Sequence, residues 1–468
     1  MSKLLINGEW RAGTGLETLR DKFSDAPFGE MALASAQDVD DAVAGVSGGF
    51  GTVAPYDRFK ILSKAADLVL ARQELLVKLM TSEVGFTRAD GENEVRRCAQ
   101  TLQLSAEEAK RITGELVPMD ATPGLQNRMG FTIRVPRGVV CAITPYNSPL
   151  NTVAHKIAPA LAAGNSVVLK PSEHTPLTAV ELCKALLEAG LPPRLLALVH
   201  GPGAVIGRQL VADQRIAFYT FTGSTRVGKE IQRGAGLRGT QMELGSIAST
   251  IICHDADLDA AMPKVINASF RKAGQVCTSV QRMLVDQRIA DAFVERFVAA
   301  TRALKFGDPS DPAVTVGPMI SAAQAQRAKS WVDEAIAQGA ERVTGGSLHG
   351  SVMEPTVLRN VKPAMRVVCE EIFAPVVSII EYDGLREAFD IANATPFGLA
   401  VGVYTANLAT AFAAARSLRF GGIHINEASS SRVDVMPFGG VKDSGFGREG
   451  PRYAVREMTE ERLVTIAY

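Results

Sequence analysis

The chain has 468 residues, with 50 Lys+Arg balanced by 50 Asp+Glu and 46% hydrophobic residues. At about 150 residues per domain this amounts to roughly three domain-sized pieces of ordinary globular composition. A net charge of zero lacks the basic excess that holds nucleic-acid phosphates, so nucleic acid is not an expected partner. The stretch Met1–Trp10 carries no long apolar region with a small-residue cleavage site, and no apolar run approaches the ~20 residues of a membrane span. No membrane partner is expected. The six cysteines (Cys98, Cys141, Cys183, Cys253, Cys277 and Cys369) form neither a C-x-x-C pair nor a zinc-type cluster with histidine. They predict no metal, no disulfide framework and a cytoplasmic location.

Residues 57–112 read as helical, because Leu62, Ala65, Ala66 and Val69 recur at i, i+3, i+4 and i+7. Short apolar strands then alternate with single helices. Strands are predicted at 139–143, 167–169, 195–199, 216–221 and 241–244. Runs with so little polar alternation indicate a parallel sheet covered on both faces. A second alternating block starts near Ser249, with helices at 291–304, 322–338 and 385–392 and strands at 375–382 and 399–404. A Gly- and Ser-rich stretch covers 427–450, and the tail 461–466 reads as an edge strand.

Two glycine-rich turns lie between a predicted strand and a helix. Gly201-Pro-Gly203-Ala-Val-Ile-Gly207 misses the G-x-G-x-x-G spacing by one residue. Thr222-Gly223-Ser224 could present backbone N–H groups and a hydroxyl to a pyrophosphate at a helix N-terminus. Each alone is equally a tight turn; two in one alternating block favour a nucleotide. Lys170-Pro-Ser172-Glu173 follows a strand's carboxyl end, where doubly wound sheets bind ligands and an acidic residue can accept from ribose hydroxyls. Cys277, in Gly274-Gln-Val-Cys, sits on a turn where a thiol can be exposed, although most free cysteines are buried small hydrophobes. Glu243 ends an apolar strand, where a carboxylate is placed either for a raised pKa and base catalysis or for simple ion pairing.

Taken together, the motifs resemble the aldehyde dehydrogenase superfamily over essentially the whole chain. In order they are Ile6-Asn-Gly-Glu-Trp10, Thr144-Pro145-Tyr-Asn147-Ser-Pro, Lys170-Pro-Ser-Glu173, Phe221-Thr-Gly-Ser224, Glu243-Leu244-Gly, Gly274-Gln-Val-Cys277, Glu370-Glu371-Ile-Phe373-Ala-Pro and Pro437-Phe-Gly-Gly-Val-Lys-Asp-Ser-Gly. The resemblance implies two doubly wound α/β domains plus a small β oligomerisation element. Residues 1–114 and 136–245 would bind NAD, 246–430 would carry the thiol, and 115–135 with 451–468 would join subunits into a homodimer or homotetramer.

It also implies a mechanism. Cys277 would attack an aldehyde to give a thiohemiacetal, with the oxyanion held by the Asn147 amide and the Cys277 N–H. Hydride transfer would leave a thioester, and Glu243 would activate the water that hydrolyses it to a carboxylic acid. Cofactor contacts implied are Thr144, Pro145, Lys170, Ser172, Glu173, Gly203, Gly207, Phe221, Thr222, Gly223, Ser224, Leu244, Glu371 and Phe373. Glu173 would repel a 2′-phosphate, favouring NAD, while Lys170 beside it leaves NADP open. The chain departs from the family pattern at Ser246-Ile247, where Gly-Lys is usual, and at Ala374, where glycine is usual. Relatives that pass the acyl group to CoA generally lack the glutamate, so Glu243 argues for water as acceptor. A CoA-acylating semialdehyde dehydrogenase and a non-catalytic scaffold are the alternatives.

Alignment through the motifs places Ser148, Thr152, His155, Val276, Thr278 and Phe438 along the aldehyde channel, with Arg97 and Arg432 on opposite walls. Arginine presents forked donors suited to carboxylate, sulfonate or phosphonate. The expected substrate is therefore a short polar or anionic aldehyde. The competing expectation is that Arg97 pairs with Glu94 and Arg432 lies at a subunit surface.

Overall fold

The computed structural model describes residues 2–468. Its first sheet has eight strands, in the order Glu9–Arg11, Leu4–Ile6, Leu196–Leu198, Ser166–Lys170, Val139–Ile143, Ile216–Thr222, Gly239–Glu243 and Gly445–Phe446. The five central strands are parallel. Chain order reverses between Val139–Ile143 and Ile216–Thr222, which is the switch point where such sheets open a crevice. Register aligns the strand ends there: Ile143 pairs with Lys170 and with Phe221, and Thr222 pairs with Glu243. The motif residues that follow each strand consequently emerge along one edge.

The second sheet has seven strands, in the order Glu341–Thr344, Thr356–Arg359, Val376–Tyr382, Val280–Asp286, Ala248–Ile252, Ala400–Tyr404 and Gly422–Ile425. Its apolar strands are buried on both faces, as the lack of alternation predicts. Strand Gly445–Phe446 returns from beyond this block to the edge of the first sheet, so the two units are interwoven. A third sheet joins Thr459–Ala467, Arg128–Pro136 and Leu116–Val117, with the tail strand at its edge.

The helical stretch predicted over 57–112 is three helices, Pro55–Ala71, Gln73–Val84 and Arg88–Ala109. Gly85 ends the second in a left-handed conformation at φ 71°, a position suited to glycine. Thr87 then starts the third by accepting from Asp90 N–H. That third helix carries Glu94, Arg96 and Arg97 toward the site. No helix among the described residues is long and apolar enough to cross a membrane, and no group of three metal-ligating side chains is assembled.

Candidate active site

Helix Leu258–Phe270 ends in a tight turn, Arg271–Gly274, that sets up the thiol. Lys272 (φ 54°) and Ala273 (φ 54°) are both left-handed, a strained conformation for residues with a side chain. Gly274 continues it at φ 68°, and a Cβ there would lie 2.1 Å from the Ala374 carbonyl oxygen. Cys277 follows, partly exposed, while Cys98, Cys141, Cys183 and Cys253 are buried. Burial within the site and the nearby Glu243 push the Cys277 thiol upward, and Arg432 opposes them.

Asn147 lies on the loop after Val139–Ile143. Its Nδ2 donates to the Gln275 carbonyl at 2.9 Å, leaving the amide's second N–H free to turn toward an oxyanion beside Cys277. Glu243 is 3% exposed, and its Oε1 has no hydrogen-bond partner. Burial, reinforced by Glu449, pushes its carboxyl up to about 8. Glu449 is itself fully buried, bonded to Lys156 Nζ at 2.6 Å and Arg432 Nη2 at 2.7 Å. Although burial disfavours its charge, these two cations hold its carboxyl below the usual range. The two glutamates thus have contrasting environments, which raise the carboxyl of Glu243 and lower that of Glu449.

Two cavities flank this centre at the switch point. One of about 490 Å³ is lined by Lys170, Glu173, Gly203, Gly207 and Arg226. The other, about 400 Å³, is lined by Pro145, Asn147, Thr222, Gly223, Ser224, Leu244, Cys277, Glu371 and Phe373. Glu371 accepts from Ser246 N–H at 2.9 Å, and burial raises its carboxyl to about 7. Ser224 caps helix Thr225–Ala235 by accepting from Val227 N–H. Thr144 and Phe221 are buried beneath this edge, and Ser172 accepts from His174 N–H within its own turn. Ile247 is fully buried, and the Ser246 hydroxyl is buried without a partner.

A third cavity, about 460 Å³, is lined by Arg96, Arg97, Arg271, Arg432 and Lys264 against Asp90 and Glu427. Three of the five cations are engaged. Arg97 grips Asp434, Arg432 grips Glu449 and lies 3.8 Å over the Phe438 ring, and Lys264 bonds Glu427. Arg97 and Arg432 line this cavity together, and the competing expectation differs from the structure on both counts: Arg97 pairs with Asp434 rather than Glu94, and Arg432 is held against Glu449 inside the chain. Among the described residues Arg96 and Arg271 have no carboxylate at ion-pair distance, and the charge of Asp90 acts on Arg271 from farther away. Arg271 and Arg432 are both close enough to Cys277 for their charges to act on the thiol. Sequence reasoning passed over Arg96 and Arg271, although an Arg-Lys pair abutting the cysteine turn was a visible signal.

The remaining positions expected along the channel are mostly structural. Ser148 donates to Glu94, His155 bonds Asp434 at 2.9 Å, and Thr152 is buried. Thr278 is buried as well, and Val276 lines only a narrow recess beside Cys277.

Known proteins bear directly on this site. Residues 10–464 match the aldehyde dehydrogenase family. The chain belongs to that family. It is 46% identical to a 3-sulfolactaldehyde dehydrogenase of Priestia aryabhattai over 464 residues, 99% of this chain and 97% of the relative. A Physcomitrella patens aldehyde dehydrogenase, solved with its product succinate, superposes with a TM-score of 0.97 at 34% identity, covering 100% of this chain and 98% of that one. A Methanocaldococcus jannaschii glyceraldehyde-3-phosphate dehydrogenase complexed with NADP gives a TM-score of 0.93 at 35% identity, covering 96% and 99%. The expected fold and family membership therefore hold.

Proposed function

We propose that this aldehyde dehydrogenase oxidises a short anionic aldehyde, of the sulfonate-bearing kind, to the carboxylic acid. The observation that carries the reading is the cavity that Arg96 and Arg271 line with no carboxylate at ion-pair distance among the described residues, Arg271 being close enough to Cys277 for their charges to interact. Guanidinium forks fit the planar or tetrahedral oxyanions of carboxylate and sulfonate. A relative sharing 46% of its residues is named for 3-sulfolactaldehyde, which has such a group.

The chain's residues divide the work. Cys277, as thiolate, adds to the aldehyde carbon, and the oxyanion that forms accepts from the Asn147 amide and the Cys277 N–H. NAD or NADP fits the two cavities at the switch point, with Lys170 and Glu173 on the adenosine side and Ser224, Glu371 and Phe373 toward the thiol. When bound, its nicotinamide supplies hydride acceptance. Glu243 then takes a proton from water, whose oxygen attacks the Cys277 thioester and releases acid and thiolate. The ion pairs of Glu449 with Lys156 and Arg432 keep a negative charge near Glu243, which maintains its basicity. Glu243 also favours water over CoA as acyl acceptor. We assign the cofactor, thiol and oligomerisation units to the eight-, seven- and three-stranded sheets, with Leu463 and Ile466 of the exposed edge strand available to a second copy.

The deciding experiment compares a sulfonated, a carboxylated and a neutral short aldehyde in wild type, Arg271→Met and Arg96→Met. Loss of one charged hydrogen-bonding group, about 1.5–3 kcal/mol, should raise KM for the anionic aldehydes roughly 10- to 100-fold. The neutral aldehyde should be unaffected. Equal KM values for all three substrates in every variant would sink the anionic-substrate reading.

A further inference from the structure

Two loops must stay in register for the chemistry: residues 145–151, which carry Asn147, and residues 271–277, which carry the thiol. They meet directly where Asn147 Nδ2 donates to the Gln275 carbonyl. A second connection runs through a buried ion pair that sequence motifs do not mark. Lys272 Nζ lies 3.0 Å from Glu94 Oε2, with the two side chains 5% and 1% exposed. The same ammonium donates to the Asn147 carbonyl at 3.3 Å and sits 4.2 Å over the Phe86 ring. Glu94 Oε1, on the other side of that carboxylate, accepts from Ser148 Oγ at 2.5 Å and from Asn151 N–H at 3.0 Å.

Each oxygen of Glu94 therefore serves a different loop. Lys272 also has a left-handed backbone at φ 54°, which costs free energy for a residue with a side chain and persists only where its surroundings fix it. The Lys272 carbonyl receives both the Gln275 N–H and Gln275 Nε2, so the strained turn is tied to the residue that holds the Asn147 amide. Breaking this arrangement would release the oxyanion loop and the thiol turn from one another.

We infer that the Lys272–Glu94 pair is a positioning device for the oxyanion site, acting through Asn147 by clamping its loop against the turn that carries Cys277. Neither residue touches substrate. The inference rests on the proposed role of Asn147 but not on the anionic substrate, so any aldehyde that the wild-type enzyme oxidises serves as the probe.

The test is a double-mutant cycle on the full-length enzyme with NAD, using single-turnover NADH formation and iodoacetamide alkylation of Cys277. Lys272→Met should slow NADH formation about tenfold, consistent with a misplacement well under 1 Å, with KM little changed. In an Asn147→Ala background, the same substitution should cost less than twofold, because the group it positions is already gone. Alkylation should stay within twofold of wild type, which separates a displaced oxyanion donor from a collapsed thiol turn. If Lys272→Met does not fold, Glu94→Gln/Lys272→Met removes both buried charges and takes its place in the cycle. Equal costs with and without Asn147, or no cost in either, would overturn the inference. Unchanged turnover in Asn147→Ala alone would instead refute the oxyanion role itself.

Discussion

Arg97 donates two hydrogen bonds to Asp434, Nε at 3.1 Å and Nη2 at 2.7 Å, across 337 residues of sequence. Asp434 is 2% exposed and also accepts from Asn151 Nδ2 and His155 Nε2. Burial works against its charge, but His155 and Arg97 outweigh it and hold the carboxyl well below the usual range. A carboxylate so fully committed fixes the plane of the guanidinium, leaving Arg97 one preset orientation at the cavity wall. Asp434→Asn keeps the volume and removes the charge. The expected result is a lower Tm and about a tenfold rise in KM for an anionic aldehyde, because a partly buried cation loses its partner and its aim. An unchanged KM would detach Arg97 from substrate binding.

The pH dependence follows from Glu243. Only its carboxylate form can take a proton from water, and burial with Glu449 nearby pushes its carboxyl up to about 8. Below that value the protonated form prevails, so deacylation should climb about tenfold per pH unit and level off above it. Stopped-flow NADH traces separate the steps. At pH 9 Glu243→Gln should show a burst near one NADH per active site while losing about 10²–10⁴ in steady-state rate. A turnover rate flat from pH 6 to 9 would contradict this assignment.

The thiol reports the same charges independently. Glu243 raises the Cys277 pKa and Arg432 lowers it. At pH 9, where Glu243 is ionised, Glu243→Gln should therefore speed iodoacetamide alkylation several-fold, and Arg432→Met should slow it. Both shifts are expected without aldehyde or cofactor. A change in the opposite direction for either variant would mean that the arrangement of charges around the sulfur is different.

Much of this site was legible because its chemistry is carried by short contiguous motifs. Asn147, Glu243, Cys277 and Glu371 each lie at a strand end or turn that apolar runs and glycines mark in the sequence. The strand register then brings Ile143, Lys170, Thr222 and Glu243 to one edge, as alternating strands and helices imply. The ion pairs were not legible. Arg97 meets Asp434, Lys272 meets Glu94 and Arg432 meets Glu449 through the packing of separate elements, which no periodicity encodes. For the same reason the carboxylate weighed for Arg97 was Glu94, a neighbour in sequence, when the structure pairs it with Asp434, and Arg271 went unselected.

The turn before Cys277 makes the sharpest demand on a single residue. Gly274 has φ 68°, and an added Cβ would lie 2.1 Å from the Ala374 oxygen and 2.4 Å from its carbonyl carbon. Both are backbone atoms just after Phe373, so neither can move aside without disturbing the cofactor-side wall. Gly274→Ala must then distort the turn that presents the thiol, and a misplacement of about 1 Å can cost 10²-fold in rate. The expected variant melts earlier than wild type and loses at least that much kcat. Gly48→Ala is the control, since an added Cβ there meets nothing within 4 Å. If Gly274→Ala matched Gly48→Ala in both Tm and kcat, the close approach of this turn to Ala374 would have no part in setting the nucleophile.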